Sequence, residues 1–193
     1  MGRLKGATPL DDYSGLLMSA AVSRDELNAL EFANINKAIQ KYLLKKPSKS
    51  LAPFIYEWFL RVHREMFDEV WAWAGQIRKT NKSIGIDKLG IREALKNVEK
   101  DIAHWEKSQL GSEEIAVRIH HRLVWVHPFE NGNGRWARLL VNIYLKREGL
   151  SLIVWPEENL IAKTDIRERY LRALREADRH NFKPLIALHK ELS

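Results

Sequence analysis

The sequence predicts a helical fold interrupted by one short β-hairpin. Three observations point there. Apolar residues recur at three- and four-residue spacing through most of the 193 residues. Start and stop residues such as Ser23, Pro47 and Gly149 bracket those stretches. One segment, residues 77–86, breaks the helical period, with isoleucines flanking a polar run.

Residues 1–22 carry Gly2, Gly6, Pro9 and Gly15 without periodicity and read as an arm laid over the domain. Ser23-Arg24-Asp25-Glu26 is a capping box, Ser23 reaching forward and Glu26 reaching back. The helix it opens should run to about Leu44 and stop at Lys45-Lys46-Pro47. Its apolar stripe is Leu27, Leu30, Ile35, Ala38, Ile39 and Tyr42. Successive residues turn by roughly 100°, which puts Glu31 and Asn34 near the middle of that stripe. A carboxylate facing a core is costly unless something pairs with it, so Glu31 needs a partner.

Residues 47–52 read as a loop. Phe54, Trp58, Val62, Met66 and Val70 follow at four-residue spacing, a buried helix ended by Trp71-Ala72-Trp73-Ala74-Gly75. Ile77 and Ile84/Ile86 then flank Lys79-Thr80-Asn81-Lys82-Ser83, which suits a hairpin turning near Asn81-Lys82. Ile91 to Trp105 returns to a helix with Leu95, Val98, Ile102 and Trp105 inward. Ser112 is read as the N-cap of the next, with Glu113 and Glu114 where the helix dipole favours anions. Ile115, Ile119, Leu123 and Val126 carry that helix to His127, where Pro128 ends it.

A following helix carries Leu139, Leu140, Ile143 and Tyr144 on one stripe and should close at Gly149. Residues 151–159 make a turn containing Pro156. Ile166, Tyr170, Ala173, Leu174 and Ala177 form another helical face, residues 178–181 a loop, and Pro184 starts a last helix. No repeat or linker divides the chain. Residues 1–50, the arm and first helix, are expected to pack on a core of residues 51–193 as one compact domain.

The chemistry gathers at His127-Pro128-Phe129-Glu130-Asn131-Gly132-Asn133-Gly134-Arg135-Trp136-Ala137-Arg138, a helix–loop–helix joint. Gly132 and Gly134 allow backbone angles that let successive N–H groups face one concavity. The loop feeds a helix N-terminus, where unpaired N–H groups and the dipole attract phosphate. Arg135 and Arg138, three apart, present two guanidinium forks on one face, and Asn133 can add a side-chain amide. His127 places an imidazole with an unperturbed pKa near 6.5 beside that cradle, able to take a proton from an attacking hydroxyl. A histidine at a helix end otherwise caps or packs. His120 and His121 upstream are given no role beyond packing or solvent exposure.

These residues resemble the signature of the Fic domain, His-x-Phe-x-(Asp/Glu)-Gly-Asn-Gly-Arg-x-x-Arg, and positions 127–138 match at every defined place but one. The resemblance implies an all-α, Fic-type helical bundle that moves a nucleotide monophosphate, usually AMP from ATP, to a protein hydroxyl. By it, His127 is the general base, and Gly132, Asn133 and Gly134 cradle the α and β phosphates. Arg135 and Arg138 hold the outer phosphates, and Phe129 is a buried anchor of the loop. The hairpin at Lys79-Thr80-Asn81-Lys82-Ser83 corresponds to the flap, whose edge holds a target segment by strand addition; its lysines favour an acidic stretch. Read without the family, it is a surface loop.

Thr8-Pro9-Leu10 and Glu26-Leu27-Asn28…Glu31…Asn34-Ile35 resemble the Fic subfamily called mobile mystery protein B. That resemblance implies a helix-turn-helix companion protein. Many Fic proteins also carry an inhibitory glutamate in a Ser/Thr-x-x-x-Glu-Gly/Asn setting. Glu31 is the candidate here, reaching Arg138 or Arg135, although Leu27 and Phe32 depart from the flanking pattern. The other reading of Glu31 is a structural bond to backbone or a neighbouring side chain.

Asn131 is the departure, standing where the family has a carboxylate for Mg²⁺. An amide oxygen brings no charge to a hard cation, so binding should weaken. Three readings follow: metal held mainly by the nucleotide phosphates, which is favoured; metal-independent transfer; or lost catalysis. Beside AMP transfer stand a Fic-fold phosphotransferase or UMP transferase, and an idle nucleotide-binding regulatory module.

The chain has no cysteine, which excludes disulfides and thiolate metal sites and fits a reducing, cytoplasmic setting. No stretch approaches the ~20 apolar residues of a membrane span, and no apolar leader stands at the N-terminus. Net charge is +7, spread along the chain, so solvated helix faces and an ATP-attracting field explain it better than a nucleic-acid surface.

Overall fold

Seven α-helices carry the architecture in a computed structural model that describes residues 14–17, 23–156, 160 and 164–193. They are α1 Arg24–Leu43, α2 Tyr56–Phe67, α3 Ile91–Trp105, α4 Ser112–Val126, α5 Asn133–Glu148, α6 Asp165–Ala177 and α7 Lys183–Glu191, with a 3₁₀ turn at Lys88–Gly90. Among the described residues no helix is long and apolar enough to cross a membrane.

The helix starts follow their local chemistry. Ser23 accepts from the Glu26 N–H while Glu26 returns to the Ser23 N–H at 2.8 Å, closing the capping box and contributing about 1 kcal/mol. Thr164 caps α6 in the same sense, and Pro184 sits in the first turn of α7. Gly149 takes φ +80° and closes α5. The α4 reading needs one correction. Gly111 is its N-cap and Ser112 its first helical residue, so no side chain caps that end. The second helix also stops sooner than its spacing suggests. Phe54 and Val70 are buried in register but lie outside α2, and Trp71–Gly75 form turns after Phe67.

α4 and α5 lie at the centre. α1 packs on α2 and α5, α3 covers α4, and α6 and α7 pair with each other while α7 closes on α4. The main core is aromatic: Trp58, Trp71, Trp136, Phe54, Phe59, Phe67 and Phe129 are each fully buried. Truncating any one would cost about 3–5 kcal/mol. A second cluster under α6 and α7 joins Val117, Tyr170, Leu174 and Leu185. There His120 is completely buried, its two ring nitrogens on His189 at 2.9 Å and Tyr170 at 3.1 Å, while His121 meets Asp178 at 2.8 Å.

Asn34 fixes how α1 lies on α2. Its amide donates to the Glu65 carbonyl and accepts from the Glu69 N–H, each at 3.1 Å. Of the N-terminal arm, residues 14–17 lie along 70–72, with a β bridge from Leu16 to Trp71. Thr8-Pro9-Leu10 falls outside the described residues.

The hairpin expected over 77–86 is not formed; among the described residues there is no strand. A buried arginine takes the place of a ladder. Arg78 donates to the carbonyls of Thr80, Ile86 and His127, so the two arms of the segment are tied to one guanidinium rather than to each other. Asn81 adds bonds to Asp87 and the Lys88 N–H, each at 2.8 Å. The flanking isoleucines report anchoring instead, Ile77 and Ile86 packing against the main core.

Candidate active site

His127 ends α4 in the left-handed region, at φ 49° and ψ 62°. Pro128 forbids it the helical conformation, and the turn swings the chain toward α5. Arg78 grips this turn twice, its Nε on the His127 carbonyl at 2.8 Å and its backbone N–H on the Pro128 carbonyl at 2.9 Å. Gly85 passes so close that a Cβ would fall 2.5 Å from that of His127. Burial, with the Arg78 and Lys82 charges, pushes the imidazole down to about 4, against a raising contribution from the Val124 carbonyl. The ring is therefore neutral at pH 7, the form a general base needs.

The loop then descends to its anchor. Phe129 is fully buried, stacked on His63 with ring centroids 3.6 Å apart and edge-on to Trp136. Asn133 clips it in place, accepting from the Phe129 N–H at 2.8 Å and donating to its carbonyl at 2.9 Å. The Asn133 side chain is thus engaged with the loop through both its oxygen and its nitrogen. Gly132 turns the chain at φ +75°, where a Cβ would stand 2.6 Å from two Phe67 ring carbons. α5 starts at the next residue, so the N–H groups of Asn133, Gly134 and Arg135 form a first turn without intrahelical acceptors.

The two guanidinium groups stand differently. Arg138 is buried against Gly134, where a Cβ would fall 3.1 Å from its Nη1, and its charge lies 5.9 Å from the Trp155 ring centre. Arg135 is part-exposed, over the Phe67 ring, and donates from Nη1 to Glu31 Oε2 at 2.6 Å. Glu31 is only 4% exposed, and its other oxygen accepts from Trp71 Nε1 at 2.7 Å. Of the two arginines named as partners for Glu31, Arg135 makes the ion pair.

Residues 79–83 gather beside the loop. Lys82 pairs with Glu130 Oε2, and Thr80 donates to Glu130 Oε1 at 3.2 Å. Lys88 reaches the Lys79 carbonyl at 2.9 Å, and Ser83 is exposed. Asn131 turns its Oδ1 back onto the Gly132 N–H at 2.7 Å. Among the described residues no group of three or more His, Asp or Glu converges on one point.

Three residues of the site escaped sequence reasoning. Trp71 stood out only as part of the run 71–75 that ends a helix. Arg78 had no visible signal, being one cation among many. His63 had one: it lies four residues from both Phe59 and Phe67, on the buried face of α2.

Against known proteins, the Fic/DOC family profile matches residues 53–145. The chain is 35% identical over 127 residues to the protein adenylyltransferase fic-1 of Caenorhabditis elegans, covering 62% of this chain and 24% of that protein. It therefore spans about a quarter of that relative's length. The solved structure of C. elegans Fic-1 (residues 134–508) superposes with TM-score 0.66 at 26% identity, over 91% of this chain and 51% of that one. A BepC protein from Bartonella tribocorum, solved with bound AMPPNP, shares the fold at TM-score 0.61 and 19% identity, over 88% of this chain and 87% of that one. Residues 53–145 thus resemble a Fic/DOC family domain.

Proposed function

We propose that this chain moves AMP from ATP to a Ser, Thr or Tyr hydroxyl of a target protein. The observation that carries the reading is a neutral imidazole at His127, one short loop away from the open first turn of α5 and its arginines. That the C. elegans relative is named a protein adenylyltransferase supports it. ATP lies with its phosphates on the Gly132–Gly134 amides and on Arg135 and Arg138. The target hydroxyl attacks the α-phosphorus in line and passes its proton to His127 as the bond forms. Pyrophosphate leaves toward the guanidinium groups. Fixed amides and charges supply most of the rate, and the base adds ~10²- to 10⁴-fold.

The residues present do not fit a protein-held Mg²⁺. Asn131 brings an uncharged oxygen already bonded to Gly132, and Glu130 is committed to Lys82 and Thr80. A metal here would come on the nucleotide's own phosphates. Glu31 we read as autoinhibitory, since its carboxylate occupies Arg135 where an outer phosphate would bind. The flap, Lys79 to Ser83, holds the target segment, and the companion is a helix-turn-helix protein. Residues 1–50 and 51–193 act as one domain.

Incubation with ATP labelled separately at α and γ, with and without Glu31→Gly, tests the reading. Label from α supports nucleotidyl transfer. Label from γ alone indicates a phosphotransferase. Binding without either, in both forms, leaves a regulatory module and defeats the proposal.

A further inference from the structure

The direction of the first cradle amide is set from behind. Across a trans peptide, the carbonyl oxygen and the following N–H point to opposite sides. The Asn131 carbonyl faces inward, bonded to His63 Nε2 at 3.1 Å. The Gly132 N–H therefore points away from His63, to Asn131 Oδ1 at 2.7 Å, an acceptor that a phosphate oxygen would have to replace.

The proton on His63 is fixed as well. The Gly75 N–H donates to Nδ1 at 3.0 Å, so Nδ1 is the bare nitrogen and Nε2 carries the hydrogen. A charged ring would set a second N–H against that of Gly75, and burial pushes the imidazole down to about 3. Stacking on Phe129, at 15° between the planes, sets the ring's tilt. Gly132 passes at a distance where a Cβ would lie 3.3 Å from Nε2. Ring, loop and glycine fit one another on three sides.

We propose that His63 is a positioning residue of the transfer site: its neutral Nε2–H form holds the Asn131–Gly132 peptide so that the Gly132 N–H faces the nucleotide phosphates. The inference rests on the nucleotide-transfer reading for what that amide meets, but not for how the amide is held. His63 touches no reacting atom. It relays a fixed geometry from the Gly75 turn to the cradle.

The test compares the full chain with His63→Phe and His63→Gln. Phenylalanine keeps the stack on Phe129 and loses both hydrogen bonds. Glutamine places an amide N–H near the former Nε2 and can restore the bond to Asn131. Three quantities are read: the Gly132 amide resonance, the Kd for AMPPNP, and the thermal midpoint. His63→Phe should move the resonance and weaken AMPPNP by about tenfold. His63→Gln should recover both while melting no higher than His63→Phe. An unmoved Gly132 resonance in His63→Phe, or equal AMPPNP losses in both variants, overturns the proposal.

Should His63→Phe not fold, ¹⁵N shifts of the wild-type ring decide, because an Nδ1–H tautomer contradicts the relay. Transfer from α-labelled ATP by the wild type runs alongside. A chain that binds AMPPNP and passes no label, both as the wild type and as Glu31→Gly, sinks the transfer reading and leaves the His63 result standing.

Discussion

Arg135 Nη1 meets Glu31 Oε2 at 2.6 Å across 104 positions of sequence, joining the first helix to the helix that begins at the glycine loop. Glu31 is held from both sides, by a cation and by the Trp71 indole. The cationic site thus already contains an anion supplied by the chain itself. Glu31→Gly should raise transfer of α-label by roughly 5- to 150-fold, the span of a typical coupling energy. An unchanged rate in a competent enzyme would make the ion pair purely structural.

Arg78 ties residues 80 and 86 to the His127 turn through three carbonyls. Arg78→Ala strands those carbonyls and should lower stability by about 3 kcal/mol, read in chemical unfolding. Arg78→Lys keeps the charge but loses the planar fork, so it should rescue little of the loss. Amide exchange over residues 79–86 should quicken in both. A flap that stays protected would show that the guanidinium is dispensable.

Asn131→Asp restores a charged oxygen to the loop beside Gly132. Transfer by that variant should depend on Mg²⁺ more than the wild type does, with the ratio of magnesium-supplied to chelated rates widened by about tenfold. In chelator, the new charge should also weaken AMPPNP by repelling its phosphates. Equal metal dependence in the two proteins would argue against the position of Asn131 in the site.

His127→Ala should abolish labelling and leave AMPPNP affinity within about twofold of wild type, since a base acts on the attacking hydroxyl and not on the nucleotide. Calorimetric titration with AMPPNP separates the two effects. With the imidazole at about 4, the acid limb of kcat/KM should fall well below pH 6.5. A limb at 6.5 would mean that the ring is exposed in the working enzyme.

Stability should fall as pH drops below 6.5. His63, His120, His127 and His189 all have their pKa lowered, chiefly by burial. The unfolded chain then binds protons, from about 6.5 downward, that the folded chain refuses until well below that, about 3 at His63 and His189 and about 4 at His127. Each such imidazole costs roughly 1 kcal/mol of stability per pH unit within that window. Thermal midpoints should therefore be level above about pH 7 and decline steadily toward pH 5. A flat profile down to pH 5 would mean that these rings accept protons in the folded state.

Helices and their ends were legible because their determinants are local. The Ser23 box, the left-handed Gly149 and the inward Glu31 all depend on residues within a turn or two of one another. The glycine–arginine joint was legible for the same reason. What escaped was carried by long reach. Arg78 works through carbonyls up to 49 residues away, and nothing near it in sequence marks it from a surface cation. His63 meets Asn131 across 68 positions, and only its place on a buried stripe hinted at a task. The side chain of Asn133 was assigned to a ligand because an amide near a cradle suits one. Its engagement with Phe129 depends on how tightly the loop folds back.

Asn34 reads both an N–H and a carbonyl of its neighbour, and a primary amide can satisfy such a pair in one orientation only. A slip of α1 by a single residue would rotate its faces by roughly 100° and carry Glu31 off its cation. Intermediate seatings of that helix have no hydrogen-bond pattern to rest in. The ion pair of Glu31 with Arg135 is thus held in register by Asn34, three residues along the same helix.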